Sequence, residues 1–186
     1  MVKPVQKNTY MLLIGGGMAL AVVFFLLFFV AIIGGAAAAQ DRGNQEAAGA
    51  VIAGAFGMMM LAMLSMWVPA ITFLVLLYKA WQAIQDGQVR TTPGQAVGFL
   101  FIPFFNLYWM FVSIWGWAAD YNGYKARHNV PGEPASEGTF LAFLICYLIF
   151  PPACLVLVFM VVSKMCDGIN TIAGQAPNAL GAAAAR

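Results

Sequence analysis

Four long apolar runs, each followed by a short polar stretch, set the rhythm of this chain. They cover about residues 10–38, 47–78, 95–119 and 139–163, and none contains a charged residue. The stretches between them are polar: QDRGNQE at 40–46, then 82–92, then DYNGYKARHNVPGEPASEG at 120–138. A helix rises about 1.5 Å per residue, so roughly 20 apolar residues cross a hydrocarbon layer of about 30 Å. The pattern therefore predicts an all-α integral membrane protein whose four apolar segments form a helical bundle. That bundle is expected to occupy residues 1–174 as one domain, with a flexible Gly/Ala/Pro-rich tail over 175–186.

Breakers and caps refine each segment. Pro69 lies inside segment two, where a proline removes one backbone hydrogen bond and is expected to break or kink the helix. Thr92 followed by Pro93 is an N-cap and first-turn pair, so a helix is expected to begin there. Within segment three, Pro103 is expected to end or bend the first part, and Asn106 to cap a second part or to bond freed carbonyls. Segment four is expected to break at Pro151-Pro152. Lys79 and Trp81, at the exit of segment two, suit a headgroup boundary.

Composition sharpens the membrane reading. The chain has 186 residues, 62% hydrophobic and 9% charged, against roughly 25% charged in a soluble domain. The net charge of +2 is spread thinly, which points away from nucleic acid. Lys3, Lys7 and the small residues Ala36 to Ala39 imitate a secretory signal. The uncharged stretch Met11 to Ile33 exceeds the usual signal core of about 7 to 15 residues, so a membrane helix is expected instead. Three cysteines, Cys146, Cys154 and Cys166, form no C-x-x-C pair and read as small buried hydrophobes.

Basic residues bear on topology without settling it. If segment three spans, Lys3, Lys7, Lys79, Arg90, Lys164 and Arg186 oppose Arg42, Lys125 and Arg127. If segment three dips in and returns near Pro103 to Asn106, Lys125 and Arg127 change places with Lys164 and Arg186, and the ratio is again six to three. A kinked span is the preferred expectation, because a re-entrant turn must be shielded by protein wherever its backbone is unpaired. Both counts put the N-terminus in the cytoplasm. Segments two and four share a weak echo, a Pro-Ala pair, an apolar run and a Lys five residues before an Ile (Lys79/Ile84, Lys164/Ile169).

The apolar segments carry no Asp, Glu, Lys, Arg or His at membrane depth. Proton relays and cation paths depend on such groups, so an ion-coupled transporter is not expected. The lone histidine, His128, falls in a polar stretch, and no Ser/His/acid set, H-E-x-x-H or phosphate-binding glycine loop is present, so no enzyme is expected. Gly49, Ala53 and Gly57, at i, i+4 and i+8, make a small-residue stripe suited to helix packing. Met59, Met63 and Met66 place three soft thioethers on one face, a weak candidate for Cu(I). Bound lipid is expected, and Phe104, Tyr108 and Trp109 offer rings on which a quinone or pigment could stack.

The stretch LYKAWQAI, then TTPGQAVGFLFIPFFNLYWMF, then GWAADYN resembles a group of uncharacterised bacterial multi-pass membrane proteins known by a domain of unknown function. Tyr78, Lys79, Pro93, Gly94 and the F-x-P-x-x-N-L core at Phe101, Pro103, Asn106 and Leu107 carry the resemblance. It implies a bacterial inner membrane and no particular activity. The expected function is a structural or accessory membrane subunit acting through helix–helix and lipid contacts, in a homo-oligomer or with other membrane subunits. The alternative is a transporter or channel for a small solute or Cu(I).

Overall fold

The computed structural model describes residues 2–39, 45–150 and 154–184, with side chains over 2–37, 49–150 and 154–175. The described residues are helices, turns and loops, without a strand. In order the helices are α1 (Lys7–Ala39), α2 (Gln45–Ala83), α3 (Pro93–Gly98), α4 (Phe105–Met110), α5 (Gly116–His128), α6 (Glu137–Ile149) and α7 (Cys154–Ala184). A 3-10 turn, Phe99–Phe101, follows α3, and a π-turn, Phe111–Trp115, joins α4 to α5. Three stretches are long and apolar enough to cross a membrane: Lys7–Ala37, Gly49–Ala83 and Cys154–Gln175. Contacts divide the chain into two compact units, Leu12–Thr72 and the pairing of Met1–Met11 with Phe73–Arg186.

The Leu12–Thr72 unit is an antiparallel pair formed by α1 and α2. A Cβ on Gly17 would lie 2.5 Å from Pro69 Cδ, and one on Gly35 would lie 3.3 Å from Val51 and Ile52 side chains. Two missing side chains thus let the backbones approach at both ends of the pair. Ala55 is buried between these points. The expected stripe does not make this contact. Gly49, Ala53 and Gly57 are exposed, and a Cβ on either glycine would meet nothing within 4 Å. The α1–α2 contact instead uses Gly17, Gly35 and Ala55. α2 continues on both sides of Pro69, so this proline costs one backbone hydrogen bond and does not break the helix. Its ring fills the space beside Gly17.

The larger unit is built on the end of α2, where Leu76, Leu77, Trp81 and Ile84 are fully buried. Trp81, expected at the exit of segment two, thus has its side chain in the core. α3 begins as expected, with Thr92 Oγ1 accepting from the Gln95 N–H and the Gln95 side chain accepting from the Thr92 N–H. The chain then turns at Ile102–Phe104 and comes back. Trp109 in α4 donates its indole N–H to the Gln95 carbonyl at 3.0 Å, and the Phe99 ring lies 4.8 Å from the Trp109 ring. Pro103 stands in this turn, and Phe104 takes the cap position before α4 with φ 62, unusual for a residue with a side chain. Asn106 does not cap α4; it lies in the first turn, where its backbone N–H donates to the Ile102 carbonyl at 3.0 Å.

Segment three is therefore a hairpin, and the expected kinked span is corrected. Asp86 before it and Arg127 after it form an ion pair at 2.8 Å, and Arg90 and Asp120 form another at 2.7 Å. Entry and exit lie at the same end. Segment four behaves likewise. The Trp117 ring lies 5.6 Å from Phe140 in α6, and a Cβ on Gly168 in α7 would lie 3.2 Å from the same indole. α6 and α7 thus run antiparallel, and Lys164 meets Glu133, which precedes α6, at 3.6 Å. The expected break at Pro151 and Pro152 lies outside the described residues. α7 continues through 175 to Ala184, into the stretch expected as a tail.

Candidate functional site

The larger unit gathers its charge at one end. Twelve of the sixteen Lys, Arg, Asp and Glu residues have described side chains, and all twelve belong to this unit. Most engage one another. Lys7 pairs with Asp167 at 2.9 Å, and next to it Asn170 binds the Val5 backbone in both directions, at 2.7 and 2.9 Å. Lys79 donates to the Tyr10 hydroxyl at 3.0 Å and lies 5.6 Å from its ring centre.

Asp86 is the hub of this polar end. It accepts from Arg127 at 2.8 and 3.0 Å, lies 3.1 Å from His128 Nε2, and receives the Gln88 backbone N–H at 3.0 Å. Burial pushes its carboxyl up, but the Gln88, Arg127 and His128 hydrogen bonds and the Arg127 charge outweigh that and hold it at about 2. His128 is about half-exposed, its ring tilted against Tyr124 with centroids 4.3 Å apart. Burial, then the negative Asp86, raises the Tyr124 hydroxyl above its usual range, and Arg127 opposes the rise. Sequence signalled none of these partnerships. Asp86 and Arg127 are 41 residues apart, on either side of an apolar run, and only its reversal brings them together.

α5 owes its place to this network and to its caps. Its last turn carries Lys125, Arg127 and His128, which suit the negative end of the helix dipole, and Asn129 ends it in the left-handed conformation. Lys125 is buried and donates to the Gly132 carbonyl at 2.6 Å and the Glu133 carbonyl at 2.9 Å, closing the loop before α6. Asn122 holds the same loop through the Ala135 N–H and carbonyl, at 2.8 and 2.9 Å. Among the described residues the cluster is a set of ion pairs and loop clamps.

Comparison with protein-family models, curated proteins and solved structures finds no match.

The remaining sequence candidates are scattered. Met63 and Met66 are exposed on α2 and Met59 is partly exposed, and none of them adjoins a cluster of His, Cys, Asp or Glu among the described residues. Phe104 and Tyr108 point away from the fold at 88% and 63% exposure. Trp109 instead is engaged within the hairpin, stacked on Phe105 at 5.5 Å. These three side chains therefore do not converge on one ring-sized pocket. Cys154 and Cys166 are buried and Cys146 is partly buried, all as free thiols.

Proposed function

We propose that this chain is a bacterial inner-membrane protein that works by contact, as a structural or accessory subunit of a homo-oligomer or larger membrane complex. In this reading α1 and α2 cross the bilayer. The α3–α4 and α6–α7 hairpins enter it from the polar end and return. α7 reaches spanning length only by including Lys164 and Asp167; its apolar stretch before them, residues 154–163, covers roughly 15 Å, half of the hydrocarbon layer. The polar end faces the cytoplasm, because it collects Lys3, Lys7, Lys79, Arg90, Lys125, Arg127 and Lys164, while Arg42 falls in the α1–α2 connection.

The observation that carries the contact reading is how the titratable groups are used. Those charged groups with described side chains lie at one end of the larger unit and are largely committed to each other, while residues 12–40 and 47–72 contain none. Proton relays and ion-coupled transport through low dielectric rely on ionisable groups at depth. What the rest of the surface offers is apolar side chains, such as Phe25, Phe56 and Trp67, suited to lipid or to other helices.

Two measurements test this. The protein extracted in lipid particles is expected to have a mass above that of one 20.0 kDa chain; a lone monomer with no companion sinks the subunit reading. With the three cysteines replaced by alanine, Gln88→Cys and Glu133→Cys are expected to react with an impermeant maleimide from the same side of sealed vesicles. Labelling from opposite sides refutes the hairpin topology.

A further inference from the structure

Where the first turns of α1 meet α7, the two helices run antiparallel and present a graded surface. Lys7 faces Asp167. One turn further along each helix, Met11 and Ser163 line an open groove that continues along α7 past Phe159 and Met160 to Leu155 and Val156. This groove has a volume of about 510 Å³, and Ser163 is the one polar side chain among the described residues on its wall. From Ser163 to Leu155 the wall extends roughly 12 Å at helical rise. Ser163 Oγ lies 3.4 Å from Asp167 Oδ2, so the polar end of the groove is continuous with the Lys7–Asp167 pair. That pair is accessible, with the two side chains 37% and 53% exposed.

An apolar trough opening onto one cation and one anion matches a molecule with an apolar tail and a head carrying both charges. We propose that this groove seats one acyl chain of an ethanolamine phospholipid, whose phosphate accepts from Lys7 Nζ while its ammonium donates to the Asp167 carboxylate. Both exposed charges then keep a partner of opposite sign as the lipid inserts between them and solvent. A choline head carries no N–H to donate to Asp167, and a glycerol head carries no cation at all, so the site discriminates between heads that share the same tails. The inference needs the membrane setting proposed above but not the subunit reading, and it stands even if the protein proves monomeric.

The test is native mass spectrometry of the full-length protein in detergent. Phosphatidylethanolamine, phosphatidylcholine and phosphatidylglycerol of matched chains are supplied at equal concentration. One ethanolamine lipid retained per chain, about three- to fivefold over either competitor, is the expected result for an exposed charge pair. Lys7→Gln with Asp167→Asn is expected to bring the three lipids to parity while a lipid is still retained. Met160→Trp, at an exposed groove position, is expected to reduce retention of all three. Equal retention by the unaltered chain, no retained lipid, or indifference to both variants would show annular lipid only and overturn the proposal. Unfolding temperatures of the variants within a few degrees of the parent keep loss of fold from imitating loss of the site.

Discussion

Trp81 donates its indole N–H to the Ser113 carbonyl at 2.8 Å, with both residues fully buried. This bond ties the end of α2 to the π-turn. Such a turn offsets backbone partners by one residue, and here the indole occupies a carbonyl within it. The Ser113 hydroxyl, by contrast, has no partner among the described residues. Trp81→Phe removes the indole bond to the buried carbonyl and is expected to cost about 1–3 kcal/mol, plus any cavity. Ser113→Ala keeps the bond and discards an unsatisfied hydroxyl, so it should be neutral or slightly stabilising. Thermal unfolding in detergent separates the two.

The close approach of α1 and α2 gives a paired comparison. Gly17→Ala forces a methyl into Pro69 Cδ, 2.5 Å away, and is expected to destabilise by about 1–3 kcal/mol. Gly49→Ala and Gly57→Ala meet open space and should leave monomer stability within about 0.5 kcal/mol, or raise it through helix propensity. A larger loss at Gly49 or Gly57 than at Gly17 in a purified monomer contradicts the described contact.

Gly168 makes a similar approach in the larger unit. A Cβ there would lie 3.1 Å from the Tyr121 ring and 3.2 Å from Trp117, two rings stacked at 5.0 Å with little room to move. Gly168→Ala is expected to cost about 1–3 kcal/mol, and Gly168→Leu to prevent α7 from docking on α5. Near-ultraviolet circular dichroism, which reports the environment of the tryptophans, reads both outcomes.

Acid should weaken the polar end through Asp86. Its carboxyl is held at about 2 in the folded protein against 3.8 for an ordinary aspartate. A depressed folded value means that the stabilisation is fully present above the unfolded value and is lost as pH falls through the folded one. Unfolding temperature is therefore expected to drop between about pH 4 and pH 2. Asp86→Asn should lower it at pH 7 and flatten that part of the profile. An unchanged acid limb in the variant would falsify the assignment of Asp86 as hub.

Phe104 offers a test of backbone strain. With φ 62 and 88% of its surface exposed, it supplies little packing and occupies a conformation that favours glycine. Phe104→Gly is expected to be neutral or to stabilise by about 1 kcal/mol, and β-branched Phe104→Val to destabilise by a similar amount. Unfolding of both in the same detergent decides it. A large loss on Phe104→Gly points to the ring being gripped by something outside the chain.

Apolar periodicity and the Thr92-Pro93 signal located most helices, because both depend on residues close together in the sequence. They could not report direction. An uncharged run of 25 residues reads identically whether it crosses a bilayer or folds back at Pro103, and the distinction lies in pairs such as Asp86–Arg127 and Trp109–Gln95. The basic-residue count failed for the same reason, since each topology yielded six to three. Glycine spacing was silent in a different way. Regular spacing singled out Gly49 and Gly57, whereas the α1–α2 contact uses Gly17 and Gly35, which lie opposite Pro69 and Val51 on a helix that α1's own sequence cannot anticipate.

In the proposed membrane setting, gathering the twelve described charged side chains at one end of the larger unit also makes the molecule a one-way insertion. Turning it over after synthesis would drag twelve charged groups across hydrocarbon, several of them in hydrated pairs, each costing kilocalories to dehydrate. Its orientation is then a kinetic memory of translation, so whatever touches Asp86 and its neighbours must approach from a single compartment throughout the protein's lifetime.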